Sequence, residues 1–140
     1  MFLLDTNVIS ELRKAGSGKA DTNVITWASK IPSSQLYISS ITVLELEMGV
    51  LSKERKDSKQ GTMLRSWFES NVLPTFAERT LVLDTKAARQ CAALHIPDRR
   101  SERDAMIAAI GIAHGMTVIT RNTNDFVDTG VALLNPWEIR

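Results

Sequence analysis

The sequence predicts an α/β fold: a mainly parallel sheet with helices on both faces. Three observations carry that prediction. Short apolar runs, too brief for helices, recur at 2–4, 36–39, 80–84, 116–120 and, more weakly, 131–134. Stretches with helical apolar spacing separate them. Polar residues follow three of the runs at the same end: Asp5, Asp84 and the pair Arg121-Asn122. In a parallel sheet that end is the carboxyl edge, where ligands collect at the point of strand reversal.

Taken in order, "FLL" at 2–4 is a strand, and a helix runs from Asn7 to about Arg13. "KAGSGKA" is a loop, and "TNVITWASK" is a second helix with Val24, Ile25 and Ala28 on one face. "LYIS" at 36–39 is the second strand, and "ITVLELEMGVLSKE" is a helix apolar almost all round. The charged stretch "KERKDSKQG" reads as a solvated turn or helix end. "TMLRSWFESNVL" is the next helix, ended near Pro74. "TLVLD" is the third strand, running into the helix "TKAARQCAALH". Pro97 and "DRRSER" form a loop before the helix "DAMIAAIGIAHG", whose Gly115 suits a carboxyl-terminal cap. "MTVIT" and "VALL" close the sheet.

The bulk numbers narrow the function. With 140 residues the chain reads as one domain, 1–140, burying about two-thirds of its unfolded surface. Seventeen basic and 16 acidic residues give a net charge of +1, so charged function has to come from local clustering. Cys91 is the single cysteine, which excludes an internal disulfide, and two histidines are too few for a zinc site. The absence of a leader-like segment and of any apolar run near ~18 residues predicts a soluble, cytoplasmic protein without membrane contact.

Candidate chemistry lies in the carboxylates. Asp5 followed by Thr6 and Asn7 is a strand-to-helix cap pattern, and "LVLDTKAARQ" repeats it at Asp84, so Asp-Thr alone proves nothing. Glu45 and Glu47 lie in the apolar helix, where a carboxylate is costly unless paired or metal-bound. Glu45 is favoured because Gly49, one turn on, leaves its face open; a capping box from Thr42 is the plain alternative. Asp104 opens its helix and also has capping-box spacing from Ser101. Asn122 and Asp125 follow the fourth strand, placed either to cap a turn or to face an ion or its water. Converging carboxylates would repel one another unless a hard cation sat between them, and magnesium suits such an all-oxygen set.

These residues have a family resemblance. "LLDTNVISE" at 3–11, "ISSITVLELEMGV" at 38–50, "DAMIAA" at 104–109, "TVITRNTNDF" at 117–126 and "NPW" at 135–137 together resemble the PIN-domain ribonucleases, specifically VapC-type toxins and FitB proteins. The resemblance implies a parallel sheet of order 3-2-1-4-5, with Asp5 and Asn122 beside the crevice and Asp84 on the far edge. It makes Asp5, Glu45 and Asp104 the catalytic and Mg²⁺-binding residues, with Mn²⁺ as a substitute. Thr6 and Asn7 match the polar pair that orients the first Asp, and Asn122 and Asp125 hold secondary positions. Asn122 is a departure, since many relatives carry Asp there; three carboxylates and one tightly held magnesium fit the site better than two ions.

The implied activity is endoribonucleolytic hydrolysis of RNA, in single-stranded loops such as those of tRNA. Arg121 and Arg103 would contact RNA or an antitoxin, whereas Arg99 and Arg100 equally suit a solvated loop. The implied partners are a VapB/FitA-like antitoxin, a second copy of the chain, and DNA only through the antitoxin. Trp27, Trp67 and Phe68, in mixed helices, suit the core more often than an interface, and the resemblance offers them as anchors for a groove lined by residues 22–30 and 42–68. Two other readings compete. An aspartate-nucleophile phosphatase also ends a strand in Asp, but position 7 is Asn and Glu45 has no part in that chemistry. The other is a catalytically weak PIN-like module acting mainly as an antitoxin and DNA-complex partner.

Overall fold

The structure is a computed structural model and describes residues 1–139. Five strands, β1 (Phe2–Leu4), β2 (Leu36–Ser39), β3 (Thr80–Leu81), β4 (Thr117–Ile119) and β5 (Leu133–Leu134), form one parallel sheet of order β3-β2-β1-β4-β5. Strand order reverses between β1 and β4, which pair in the register Leu3↔Val118 and Leu4↔Ile119. The two-residue side-chain period of strands then divides the core. Leu4 and Ile119 face one side, among Val8, Trp27, Leu46 and Phe68. Leu3 and Val118 face the other, among Ala87, Ile107 and Ile110. Both faces are therefore covered, by α1 (Thr6–Arg13) to α5 (Leu73–Thr75) on the first and mainly α6 (Thr85–Leu94) and α7 (Glu102–Ala113) on the second.

Caps set the helix starts. Asp5 accepts from the Thr6 N–H at α1, and Asp21 from Asn23 and Val24 at α2 (Thr22–Ser29). Ser39 Oγ accepts from the Thr42 N–H at α3 (Ser40–Lys56). Asp84 Oδ1 accepts from the Ala87 N–H at α6 and is a plain cap. At the end of α7, Gly115 takes φ 63, with its N–H on Ile112 O and the Met116 N–H on Gly111 O; this is a Schellman turn.

Two boundaries differ from the sequence expectation. The third strand stops at Leu81 instead of Asp84, because its partner β2 ends at Ser39, which pairs with Leu81, and the chain there turns into α3. Val82 is 59% exposed. The charged stretch is a solvated helix end, one of its two readings, but no loop follows it: Asp57 ends α3 and at once caps α4 (Ser58–Trp67), and Gly61 is buried inside α4. A Cβ on Gly61 would lie 2.4 Å from Glu54 Cα, so this glycine serves the close crossing of α3 and α4 rather than a turn. The next helix does end near Pro74, at Thr75: a wider turn over Phe68–Val72, with the Leu73 N–H reaching Phe68 O, precedes the one-turn α5 that contains the proline.

The aromatics are mostly core. Trp27 packs edge-on to Phe2 at 5.5 Å, Phe68 is fully buried, and Trp67 is half-buried under the Arg13 guanidinium. The apolar side chains exposed in this region are Leu44, Met48 and Leu51 of α3 and Met63 of α4. No helix among the described residues is long and apolar enough to cross a membrane.

Candidate active site

Two strand ends and two helix segments meet at the reversal point. Asp5 leaves β1 with its N–H bonded to Ile119 O of β4 at 2.9 Å, so its side chain is delivered at the sheet's carboxyl edge. Thr120, leaving β4, donates its hydroxyl to Asp5 Oδ2 at 2.7 Å, while the Thr6 N–H holds Asp5 Oδ1 at 2.8 Å. Asn7 bridges the same two strand ends. Its amide lies 3.4 Å from Asp5 Oδ2 and 3.3 Å from Thr120 Oγ1, and its Oδ1 accepts from the Arg121 N–H at 3.3 Å. The Asn122 N–H completes the network on Thr120 Oγ1 at 3.0 Å.

Glu45 comes from α3 and Asp104 from the first turn of α7. Thr6 Oγ1 lies 2.7 Å from Glu45 Oε1 and 3.2 Å from Thr42 Oγ1, and Thr42 Oγ1 lies 3.5 Å from Ser39 Oγ. A carboxylate only accepts, so the Thr6 proton goes to Glu45, and Thr42 and Ser39 donate in turn along a hydroxyl chain. The alternative Thr42-to-Glu45 box does not form; Ser39 is the cap, and Glu45 is turned toward Thr6. Its other oxygen lies 3.6 Å from Arg103 Nε. Glu47 points elsewhere, with Oε2 2.7 Å from Arg65 in a cluster that also takes in Glu54 and Glu69. Gly49 leaves open space, since a Cβ there would meet no atom within 4 Å.

Asp5, Thr6, Asn7, Glu45, Asp104, Arg121 and Asn122 line one cleft of about 440 Å³. Arg103 and Asp125 do not line it. Asp125 ends an exposed turn (Thr123–Asp125) behind Asn122, although its charge reaches Asp104. Four wall residues escaped the sequence reading: Ser10, Glu11, Lys14 and Trp137. Buried Glu11 accepts from the Asp21 N–H at 2.8 Å and pairs with Lys14 at 3.2 Å, which fixes the loop between α1 and α2. Thr120 was also missed, though it occupies on β4 the strand-end position that singled out Asp5 on β1.

The electrostatics are those of a site short of positive charge. Burial pushes Asp5 up to about 6, and the Asp104 and Glu45 charges add to the rise against the Thr120 and Thr6 hydrogen bonds. Asp104 is raised as well, first by burial and then by Asp125 and Glu45, with the Ser101 hydroxyl and Arg103 opposing. All these donors are oxygens, which suits a hard divalent cation. Among the described residues no three Asp, Glu, His or Cys side chains stand close enough to form a closed cage. The open cleft instead leaves room for water between carboxylates and ion, as magnesium prefers.

The sequence carries the PIN domain model over residues 2–132. It belongs to the PIN-domain family. Within it, this PIN domain groups with the VapC/FitB-like toxins. It is 39% identical over 143 residues to the VapC ribonuclease Y4jK of Sinorhizobium fredii, covering 99% of both chains. It is 36% identical to the toxin FitB of Neisseria gonorrhoeae, covering 98% of this chain and 99% of that one. The solved structure of FitAB bound to an IR36 DNA fragment superposes with a TM-score of 0.88 at 34% identity, over 100% of this chain and 98% of that one. The fold class and the 3-2-1-4-5 order implied by the resemblance are those of the structure.

Proposed function

We propose that this PIN domain is a magnesium-dependent endoribonuclease, the toxin of a VapBC-type pair. The observation that carries the reading is the meeting of Asp5, Glu45 and Asp104 in one cleft at the strand reversal, where burial and mutual repulsion raise Asp5 and Asp104. Full-length relatives named as a VapC ribonuclease and a toxin support it.

Asp5, Asp104 and Glu45 would hold Mg²⁺, or Mn²⁺ in its place. When bound, the ion supplies Lewis-acid polarisation of a phosphate oxygen and lowers the pKa of water. The chain's own groups do the rest. Thr120, Thr6 and Asn7 hold Asp5 in one orientation, and Thr6 holds Glu45 Oε1, leaving a carboxylate to orient a water for attack on phosphorus. Asn122 sits at the rim as a neutral oxygen donor, and Asp125 adds negative field through Asp104. Arg121, on the cleft wall, and Arg103, beside Glu45, would contact RNA or an antitoxin. Single-stranded loops, those of tRNA included, are the fitting substrates because their backbones are accessible.

The partners are a VapB/FitA-like antitoxin and a second copy of the chain, with DNA reached only through the antitoxin. The relative solved as FitAB bound to a DNA fragment supports the antitoxin and DNA parts of this reading. Leu44, Met48 and Leu51 at helical spacing, with Met63, supply an apolar face for an amphipathic segment in place of the buried Trp27 and Phe68. Cleavage of RNA by the purified protein with Mg²⁺, and its loss in EDTA and in Asp5→Asn, tests the activity. Mapping new RNA 5′ ends after brief induction identifies the target, and a protein that releases no new ends with either metal would overturn the reading.

A further inference from the structure

Around the cleft, nearly every basic side chain is already engaged. Lys14 pairs with Glu11, Arg103 with Glu45 and Arg99 with Glu102, while Arg100 Nε donates to Leu94 O. Arg121 is different. Among the described residues its guanidinium has no carboxylate or carbonyl partner; it lies over the Trp137 ring, 5.4 Å from the centroid. The ring holds the charge without supplying a hydrogen-bond acceptor, so the guanidinium N–H donors stay available.

Both members of the stack are held from behind. The Arg121 N–H is bound by Asn7 Oδ1, and its carbonyl accepts from Asn135 Nδ2 at 3.3 Å. Asn135 Oδ1 accepts from the Trp137 N–H at 3.0 Å, and the Trp137 carbonyl accepts from Asn23 Nδ2 at 2.8 Å. One asparagine thus ties the end of β4 to the turn that carries the ring. Arg121 and Trp137 both line the cleft that contains Asp5, so the stack stands at its wall.

We infer that Trp137, coupled through Asn135, is a positioning residue that presets the Arg121 guanidinium as a fork for one RNA phosphate next to the phosphate being cleaved. The inference rests on the nuclease reading and extends it to how the strand is seated. A preset fork loses less side-chain freedom on binding than a mobile lysine or arginine, and it donates to two oxygens of one phosphate. It reads the backbone and not the base, so it sets register without sequence preference.

The test is anisotropy of a fluorescent single-stranded oligoribonucleotide with the full chain in EDTA, across a salt series. R121Q is expected to weaken binding roughly 10-fold and to make the salt slope shallower by about one. W137L is expected to cost ~3-fold, the scale of an exposed cation–π contact, and W137F to restore it. In the R121Q background W137L should cost nothing further, because the ring acts through the guanidinium. Replacing the phosphates one at a time by neutral methylphosphonate should reveal one position where the R121Q loss vanishes. The inference falls if R121Q keeps full affinity and slope, if W137L costs as much with or without Arg121, or if only binding of a partner protein suffers. Wild-type protein that cleaves RNA while R121Q binds it normally removes this inference and leaves the nuclease reading. Protein that neither binds nor cleaves removes both.

Discussion

The Thr6 hydroxyl donates to Glu45 Oε1 at 2.7 Å across 39 positions of sequence, joining the start of α1 to the face of α3. Thr6 also supplies the N–H that holds Asp5 Oδ1, so one residue orients two of the three carboxylates. Thr6→Val keeps the backbone contact and removes the hydroxyl. Cleavage should fall by ~10-fold to 100-fold with weaker Mg²⁺ affinity, as for other groups that orient metal ligands, and Thr6→Ser should recover most of it. Calorimetric titration of Mn²⁺ checks the affinity independently of turnover.

Among the carboxylates themselves, Asp5→Asn, Glu45→Gln and Asp104→Asn should each lower cleavage at least ~100-fold. Asp84→Asn should leave it within a few-fold, since Asp84 only caps α6. Glu47→Gln should also leave turnover intact, because Glu47 faces Arg65. An essential Asp84 beside a dispensable Glu45 would refute the assignment.

The raised Asp5 gives a stability prediction with a definite sign. Its folded pKa of about 6 stands above the ordinary carboxylate value, so between those values the folded state binds more protons than the unfolded. Stability from this group is therefore highest below the unfolded pKa, falls as pH rises, and levels off above about 6. In EDTA, Asp5→Asn should match wild type near pH 4 and exceed it at neutral pH by up to ~3 kcal/mol. Mg²⁺ should erase that difference by stabilising wild type alone. Denaturant melts at the two pH values, with and without Mg²⁺, measure it.

How much of this was legible depended on where the information lies. Alternating strands and helices are written in local periodicity, and Asp5, Asp84 and Asn122 could be placed at one sheet edge from it. Strand order is not local, and it came from the family resemblance. The third strand was overread because its length is set by β2, which yields to α3 after Ser39. Gly61 misled because a buried close crossing and a turn call for the same residue. Trp27 and Phe68 are core because a mixed helix can still turn its aromatic inward. Thr120 holds Asp5 across 115 positions and Trp137 is held by Asn23 across 114, and no spacing rule signals such contacts.

Gly61→Ala tests the crossing. The added methyl would meet Glu54 Cα and N at 2.4 and 2.8 Å, and backbone cannot step aside as a side chain can. Overpacking of this kind costs about 1–3 kcal/mol, against the small gain in helix propensity from Gly to Ala. The expected result is a lower melting temperature, with Gly49→Ala as the contrasting variant that is neutral or stabilising, since its Cβ meets nothing.

Asn122→Asp tests the departure from the family's acidic pattern. Asn122 lines the cleft, and its N–H is bound to the same Thr120 hydroxyl that holds Asp5, so a carboxylate there enters a field already crowded with negative charge. Without metal the new charge should raise Asp5 further and lower stability at neutral pH. With Mg²⁺ the same charge becomes attractive, and affinity for the ion should increase. The two effects have opposite signs, so melting in EDTA and calorimetric titration of Mg²⁺ separate them. A variant with unchanged stability and unchanged affinity would show that Asn122 does not face the ion, and would leave Asp5, Glu45 and Asp104 to hold it alone.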